Sequence, residues 1–181
     1  MNMADSVRIV AKKGPAWGRR PEGRAFTRAV EDLVEDVATT LHGHATDGVV
    51  RGRSEWPPLA AMTVAMKGHN KPLVDSGDFL RAIEMRRDGT TATVGVHGGR
   101  GSKGQELGLV AIVMENGATV RVTDRMRGWF LVKGFPLSPA TEFIRIPARP
   151  VFGPAMKETD EEMDRIIGDH VGEMMEAAFG A

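Results

Sequence analysis

Along residues 25–41 the apolar side chains Phe26, Val30, Leu33, Val37 and Leu41 recur at steps of three and four. That spacing places them on one face of a helix, because about 3.6 residues complete a turn. Glu31, Asp32, Glu35 and Asp36 fall on the opposite side, so the segment predicts an amphipathic helix from Ala25 to about Leu41, with Gly43 as its stop. A second apolar stripe, Met163, Ile166, Ile167, Val171, Met174 and Ala178, follows Pro154-Ala155 and predicts one helix to the end of the sequence.

Between the two helices the period changes. Phe79 to Arg86 and Thr91 to Val96 flank Arg87-Asp88-Gly89-Thr90, and Asp-Gly between two alternating runs predicts a β-hairpin. Phe79, Ile83 and Met85 share one face of its first strand; Ala92, Val94 and Val96 share one face of the second. Leu109 to Met114 and Glu142 to Ile146 read as further strands. The 117–140 region, with Trp129, Phe130, Gly134 and Pro136, reads as a long excursion of the kind that carries function or touches a partner. Gly48 to Arg53 reads as a connector, and Ser54 to Pro58 as the opening of a short helix through Met66. The pattern predicts an α+β fold, a small, mainly antiparallel sheet packed by an N-terminal and a C-terminal amphipathic helix, with long loops.

Ahead of this single domain, residues 25–181, stands a different composition. Gly14, Pro15, Gly18, Pro21 and Gly23 lie among basic residues in the first 24 positions, which predicts a basic extended arm. Trp17 is its lone tryptophan and calls for a pocket on this subunit or a neighbour.

With 181 residues, 41% hydrophobic and 27% charged, the chain has the mixture of a globular domain. Its 24 basic and 24 acidic side chains balance, so no global field draws it to nucleic acid or an anionic membrane. The charges are unevenly spread. The arm sets Arg8, Lys12, Lys13, Arg19, Arg20 and Arg24 against Asp5 and Glu22, a net +4. From Glu158 to Glu176, eight carboxylates stand against Arg165, a net −7. The sequence holds no cysteine, which excludes disulfides and thiolate chemistry. No apolar run approaches a membrane span and no signal-peptide core is seen, so a chain made and used in a cytoplasm, or in something assembled there, is expected.

The residue types that carry chemistry form no working motif. His97-Gly98-Gly99-Arg100-Gly101-Ser102-Lys103-Gly104 does not fit a phosphate-binding loop, no helix plainly follows it, and it reads as a mobile tip. His42 and His44 lie at the predicted helix end without a third ligand, while His69, His97 and His170 are scattered. Ser54, Ser76, Ser102 and Ser138 lack a nucleophile motif, and the paired carboxylates fall on solvated helix faces. Neither an enzyme nor a cofactor or metal is expected. A DNA-binding accessory protein, using the basic arm, and a small enzyme with an unrecognised site are the rival readings.

Three pieces, in order, resemble the phage virion-morphogenesis family, the tail-completion and neck proteins of Mu-like tailed phages. Trp56-Pro57-Pro58-Leu59, followed by Thr63 and Lys67, looks like its tryptophan-proline-leucine opening. Leu73 to Ile83, with Asp75-Ser76-Gly77 inside it, is similar to its Thr/Ser-Gly signature before a strand. Ile146-Pro147-Ala148-Arg149-Pro150-Val151-Phe152 is similar to its I-P-x-R-P-F element before the last helix. In place of a His-Glu-Phe-Gly-like segment of many relatives stands Val113-Met114-Glu115-Asn116-Gly117. The resemblance implies a structural virion protein that completes the tail or joins it to the head. It implies a homomeric ring, a hexamer, made in the bacterial host cytoplasm, contacting other neck and tail proteins, with DNA passing its lumen and no membrane partner. Terminator, completion and head–tail joining roles all remain open at this point. Trp17, Arg19, Arg20, Trp129, Phe130 and Arg149 are the candidate interface residues.

Overall fold

The computed structural model describes residues 6–10 and 21–179. Among them the order is β1 (Ser6–Val10), α1 (Pro21–Arg51), α2 (Ala61–Lys67), α3 (Asp78–Arg81), β2 (Ile83–Asp88), β3 (Thr91–Val96), α4 (Leu107–Asn116), β4 (Ala118–Arg121), α5 (Asp124–Val132), β5 (Phe143–Ile146), α6 (Phe152–Glu161) and α7 (Met163–Phe179). The fold is α+β, with one long N-terminal helix, helices at the C-terminal end and small antiparallel sheets.

α1 runs past the expected stop at Gly43 because its apolar stripe does not end there. Leu41, Ala45 and Val49 are all buried at a four-residue spacing, and their packing outweighs the roughly 1 kcal/mol that a glycine costs a helix interior. The expected connector from Gly48 is therefore helical as far as Arg51. The turn that ends α1 is Gly52, at a φ of 74°, in the left-handed region that glycine enters without a Cβ clash. The helix begins at Pro21, before the expected Ala25, with the proline in the first turn where its missing N–H is harmless.

The hairpin forms with the expected turn, pairing Asp88 with Thr91 and Ile83 with Val96. Its first strand starts only at Ile83, since Phe79 belongs to the short α3. Ala92, Val94 and Val96 are fully buried on one face of β3, as the alternation predicts. β1 pairs antiparallel along the other edge of β3, from Ser6 against Gly95 to Val10 against Thr91. Part of the expected arm is thus the edge strand of a three-stranded sheet ordered β1-β3-β2. Extended chain with β-branched residues found a free strand edge, which composition alone does not reveal.

Leu109 to Met114 is helix and not strand. A short apolar run fits either state by periodicity, and here Leu107 and Ala111, one turn apart, are the positions buried. A helix does then follow the glycine-rich loop, contrary to expectation. The loop is also pinned, because Gly101 N–H donates to Gln105 O, Gly104 N–H to Gly101 O and Leu107 N–H to Gly99 O. The 117–140 excursion contains β4 and α5, and β4 pairs with β5 in a separate two-stranded sheet. The last helix is two helices, broken at Glu162, with α6 and α7 both packed on α1.

α1 lies across β2 and β3, and the core fills the space between it, the sheet, α4 and the start of α6, around Leu41, Val49, Val94, Val96 and Val151. No helix among the described residues is long and apolar enough to cross a membrane.

Candidate functional site

Two of the motif segments meet in space. Trp56 is buried, and its indole Nε1–H donates to Pro150 O at 3.0 Å. In return Arg149 Nε and Nη2 donate to Pro57 O and Pro58 O, each at 3.1 Å. The prolines explain why these carbonyls are available: X-Pro geometry keeps both segments extended, so their C=O groups find no partner within a helix or ladder. A third segment joins the clasp where Arg149 N–H donates to Met114 O at 2.6 Å.

Glu115 fixes the next turn. Its carboxylate accepts from the N–H groups of Val151, Phe152 and Gly153, the unsatisfied donors at the start of α6. Gly117 follows at a φ of 72°, where a Cβ would stand 2.9 Å from Ile146 O and 3.0 Å from Ala148 N. Only glycine fits so close a backbone.

Beside the clasp opens a cleft of about 500 Å³ between α2, α3, α4 and β5. Its apolar wall includes Leu59, Met62, Leu73, Phe79 and Val110, and its cations are Lys67, Arg145 and Arg149. Leu73 is held at a φ of 58°, a strained conformation for a leucine, with Val74 N–H turned back to Pro72 O. Arg149 is only 5% exposed. Burial pushes its guanidinium below the usual arginine value. Burial also lowers the Lys67 ammonium; Asp75 opposes this, while Lys103 and Arg149 add to it.

The carboxylates at the rim are engaged elsewhere. Asp75 is held low chiefly by its hydrogen bond from Lys103. Asp78 accepts from Ser102 Oγ at 2.6 Å and Ser102 N–H at 2.7 Å, and also from Ser76 and Arg81. These bonds, those of Ser102 first, hold Asp78 far below the usual carboxylate range. They tie the glycine-rich loop to α3, so the expected mobile tip is anchored.

Trp129 and Phe130 lie together on α5, their rings 5.0 Å apart and nearly perpendicular. α5 has no buried residue. It is held by Thr123, which caps its start, and by Arg127, whose guanidinium donates to the carbonyls of Ser138, Pro139 and Thr141. The excursion is therefore a built segment that exposes Trp129, Leu131 and Val132, and Phe143 at the start of β5 is exposed as well. Arg149 is not part of this surface, and Trp17, Arg19 and Arg20 lie outside the described residues.

On α7, Ile167, Val171 and Met175 are exposed at a four-residue spacing, with Met156 of α6 exposed as well. In sequence they are interspersed with the acidic run from Glu158 to Glu176. At the α6–α7 break, Glu158 receives Arg53 and faces His44, which also meets Glu162 at 3.1 Å. His42 bonds Ile83 O and His170 pairs with Asp36. No set of His, Cys, Asp or Glu among the described residues is arranged to hold a metal.

Sequence reading missed Lys67, Asp78 and Glu115 as site residues. Their roles depend on partners distant in sequence; Lys67 and Asp78 stood only as members of the motif pieces, and the local cue to Glu115 was Asn116-Gly117 as a helix stop after it. Comparison with protein-family models, curated proteins and solved structures gives no match to this chain.

Proposed function

We propose that the protein is a structural subunit of a tailed-phage neck or tail, which assembles head to tail into a homomeric ring, of six subunits in the reading favoured by the family resemblance. One observation carries the assembly: the subunit presents two exposed apolar surfaces of opposite charge. In the excursion and the strand β5 that follows it, the exposed Trp129, Leu131, Val132 and Phe143 stand in sequence among Arg121, Arg125, Arg127, Lys133 and Arg145, against Asp124 and Glu142. The C-terminal helices set Ile167, Val171 and Met175 among carboxylates.

Exposed apolar patches of this kind mark contact surfaces. Two unlike, complementary patches on one chain join copies head to tail, and such a contact closes into a ring when its rotation permits. Opposite charge steers and registers the contact, while burial of Trp129 and its neighbours supplies most of the free energy. The phage assignment is supported by the order of the three motif pieces, two of which form the clasp. The same resemblance supports other neck and tail proteins as partners and DNA in the lumen. The segment with Trp17, Arg19 and Arg20 adds a further contact in this reading. Trp17→Ala tests it more cleanly than a deletion of residues 1–20, which would also remove β1.

The decisive experiment uses two variants, Trp129→Ser/Val132→Ser and Val171→Asp/Met175→Asp, followed by analytical ultracentrifugation. Each alone should fold and remain monomeric. Mixed, they should form a dimer and stop, because each retains one working surface. If each variant assembles like the parent, or the parent stays monomeric at tens of micromolar, the proposal fails.

A further inference from the structure

The clasp leaves an imbalance. Arg149 carries a full positive charge in a site with only 5% exposure, yet no carboxylate pairs with it among the described residues. Its acceptors among the described residues are neutral carbonyls, bonded through Nε and Nη2. Among the described residues Lys67, which lines the same cleft, donates only to Lys71 O, at 3.2 Å. Asp75 and Asp78 also line the cleft, but their hydrogen bonds go to Lys103, Ser76, Ser102 and Arg81, and only the Asp75 charge acts on Lys67. A buried cation of this kind is normally paired with an anion.

The cleft also borders an unused strand edge. Among the described residues β5 pairs with β4 only, in a sheet of two strands. Ile144, Arg145 and Ile146, three successive residues, all line the cleft. Side chains alternate between the faces of a strand, so a run of consecutive lining residues means that the strand presents its edge. Extended peptides add to such edges through backbone hydrogen bonds, with neighbouring pockets reading the side chains.

We propose that this cleft binds an extended peptide segment of a partner protein, one that pairs with β5 and places a Glu or Asp side chain, flanked by apolar residues, against Arg149 and Lys67. The apolar wall of Leu59, Met62, Leu73 and Phe79 receives the flanking side chains. A peptide is favoured over a free small carboxylate because the strand edge and the charge are offered side by side. The cleft belongs to one subunit, so the inference stands whether or not the protein forms a ring.

The test uses the full chain and two pools of capped pentapeptides, with small or apolar residues around a central Glu or a central Gln. Affinity mass spectrometry ranks the pools, and hydrogen exchange follows the amides of 144–146. The Glu pool should bind roughly tenfold more tightly, the discrimination expected of a charge-assisted pair, and should slow exchange in β5. Lys67→Met, distant from the clasp hydrogen bonds, should remove most of the preference while leaving the melting temperature near that of the parent. Arg149→Lys, which keeps the charge but loses the fork, should weaken the Glu pool more than the Gln pool. Equal binding of the two pools, or binding of neither at millimolar concentration, overturns the inference and leaves Arg149 as a structural clasp only. Octanoate that competes as well as the best peptide overturns the peptide form of the ligand.

Discussion

Two glycines within α1 should respond differently to the same substitution. At Gly43 nothing lies within 4 Å of where a Cβ would stand. The position is exposed, so Gly43→Ala should stabilise the protein by about 1 kcal/mol, through helix propensity and a less flexible unfolded chain. At this chain length that corresponds to a rise in melting temperature of roughly 2–4 °C. At Gly48 the added carbon would stand 2.7 Å from Arg53 Nε and Nη2. Arg53 would have to move, and its guanidinium also bonds Glu158 through two nitrogens and His44 O at 3.3 Å. The Arg53 side chain is 8% exposed and Glu158 41%, so this pair lies between a surface and a buried one. Hydrogen bonds to charged groups contribute about 1.5–3 kcal/mol when well shielded, and half-exposure reduces that figure. The loss should cancel or exceed the propensity gain, and Gly48→Ala should lower the melting temperature or leave it unchanged. Differential scanning calorimetry on the two variants reads the difference directly. In an Arg53→Met background the clash is relieved, and Gly48→Ala should recover most of the gain seen at Gly43, a coupling that a double-mutant cycle measures. If Gly48→Ala stabilises the parent as much as Gly43→Ala does, the Arg53 packing argument is wrong.

Acid should destabilise the protein in a defined window. Arg53 depresses the Glu158 carboxyl, and Lys103 depresses Asp75, so each contributes stability above its unfolded value of about 4 that is lost as pH falls through the lower folded value. Urea midpoints should hold near neutral pH and fall below about pH 4; Arg53→Met should flatten that fall, and an unchanged profile would contradict the Glu158 assignment. Asp78→Asn keeps an acceptor but removes the charge that Ser102 bonds twice. Amide exchange at Ser102 should then quicken roughly five- to tenfold with the melting temperature little changed, whereas unaltered exchange would mean that the backbone bonds of Gly101 and Gly104 alone hold the loop.

What was legible in the sequence was local. Asp88-Gly89 carries its turn within two residues, and Ala92, Val94 and Val96 carry their burial in a period of two, so the hairpin could be read directly. The apolar stripe of α1 was legible for the same reason, although the helix starts at Pro21 and not at the expected Ala25. Its end was not, because Gly43 and Gly48 signal a stop while Ala45 and Val49, small residues with a weak hydrophobic signal, decide the outcome by packing. α4 shows the complementary failure. Its run from Leu109 to Met114 has strand-like content, and the choice falls to Leu107 and Ala111, whose partners lie elsewhere in the chain. Of the site, Trp56 and Arg149 were visible as motif residues, but that each holds the other's segment was not, since the bonds span more than ninety residues.

The clasp itself constrains what Arg149 is for. Two carbonyls need two N–H donors, and the Pro57 and Pro58 oxygens would accept those of a neutral amide as readily. A guanidinium adds a charge whose removal from water is costly, and nothing among the described residues returns that cost as an ion pair. Trp56, by contrast, meets its only polar demand through Pro150 O and buries the rest of its ring. One half of the clasp is thus satisfied within the subunit, whereas the other half holds unspent positive charge beside an apolar cleft and an open strand edge. Stability explains the tryptophan; the arginine is explained by an anion that arrives from outside.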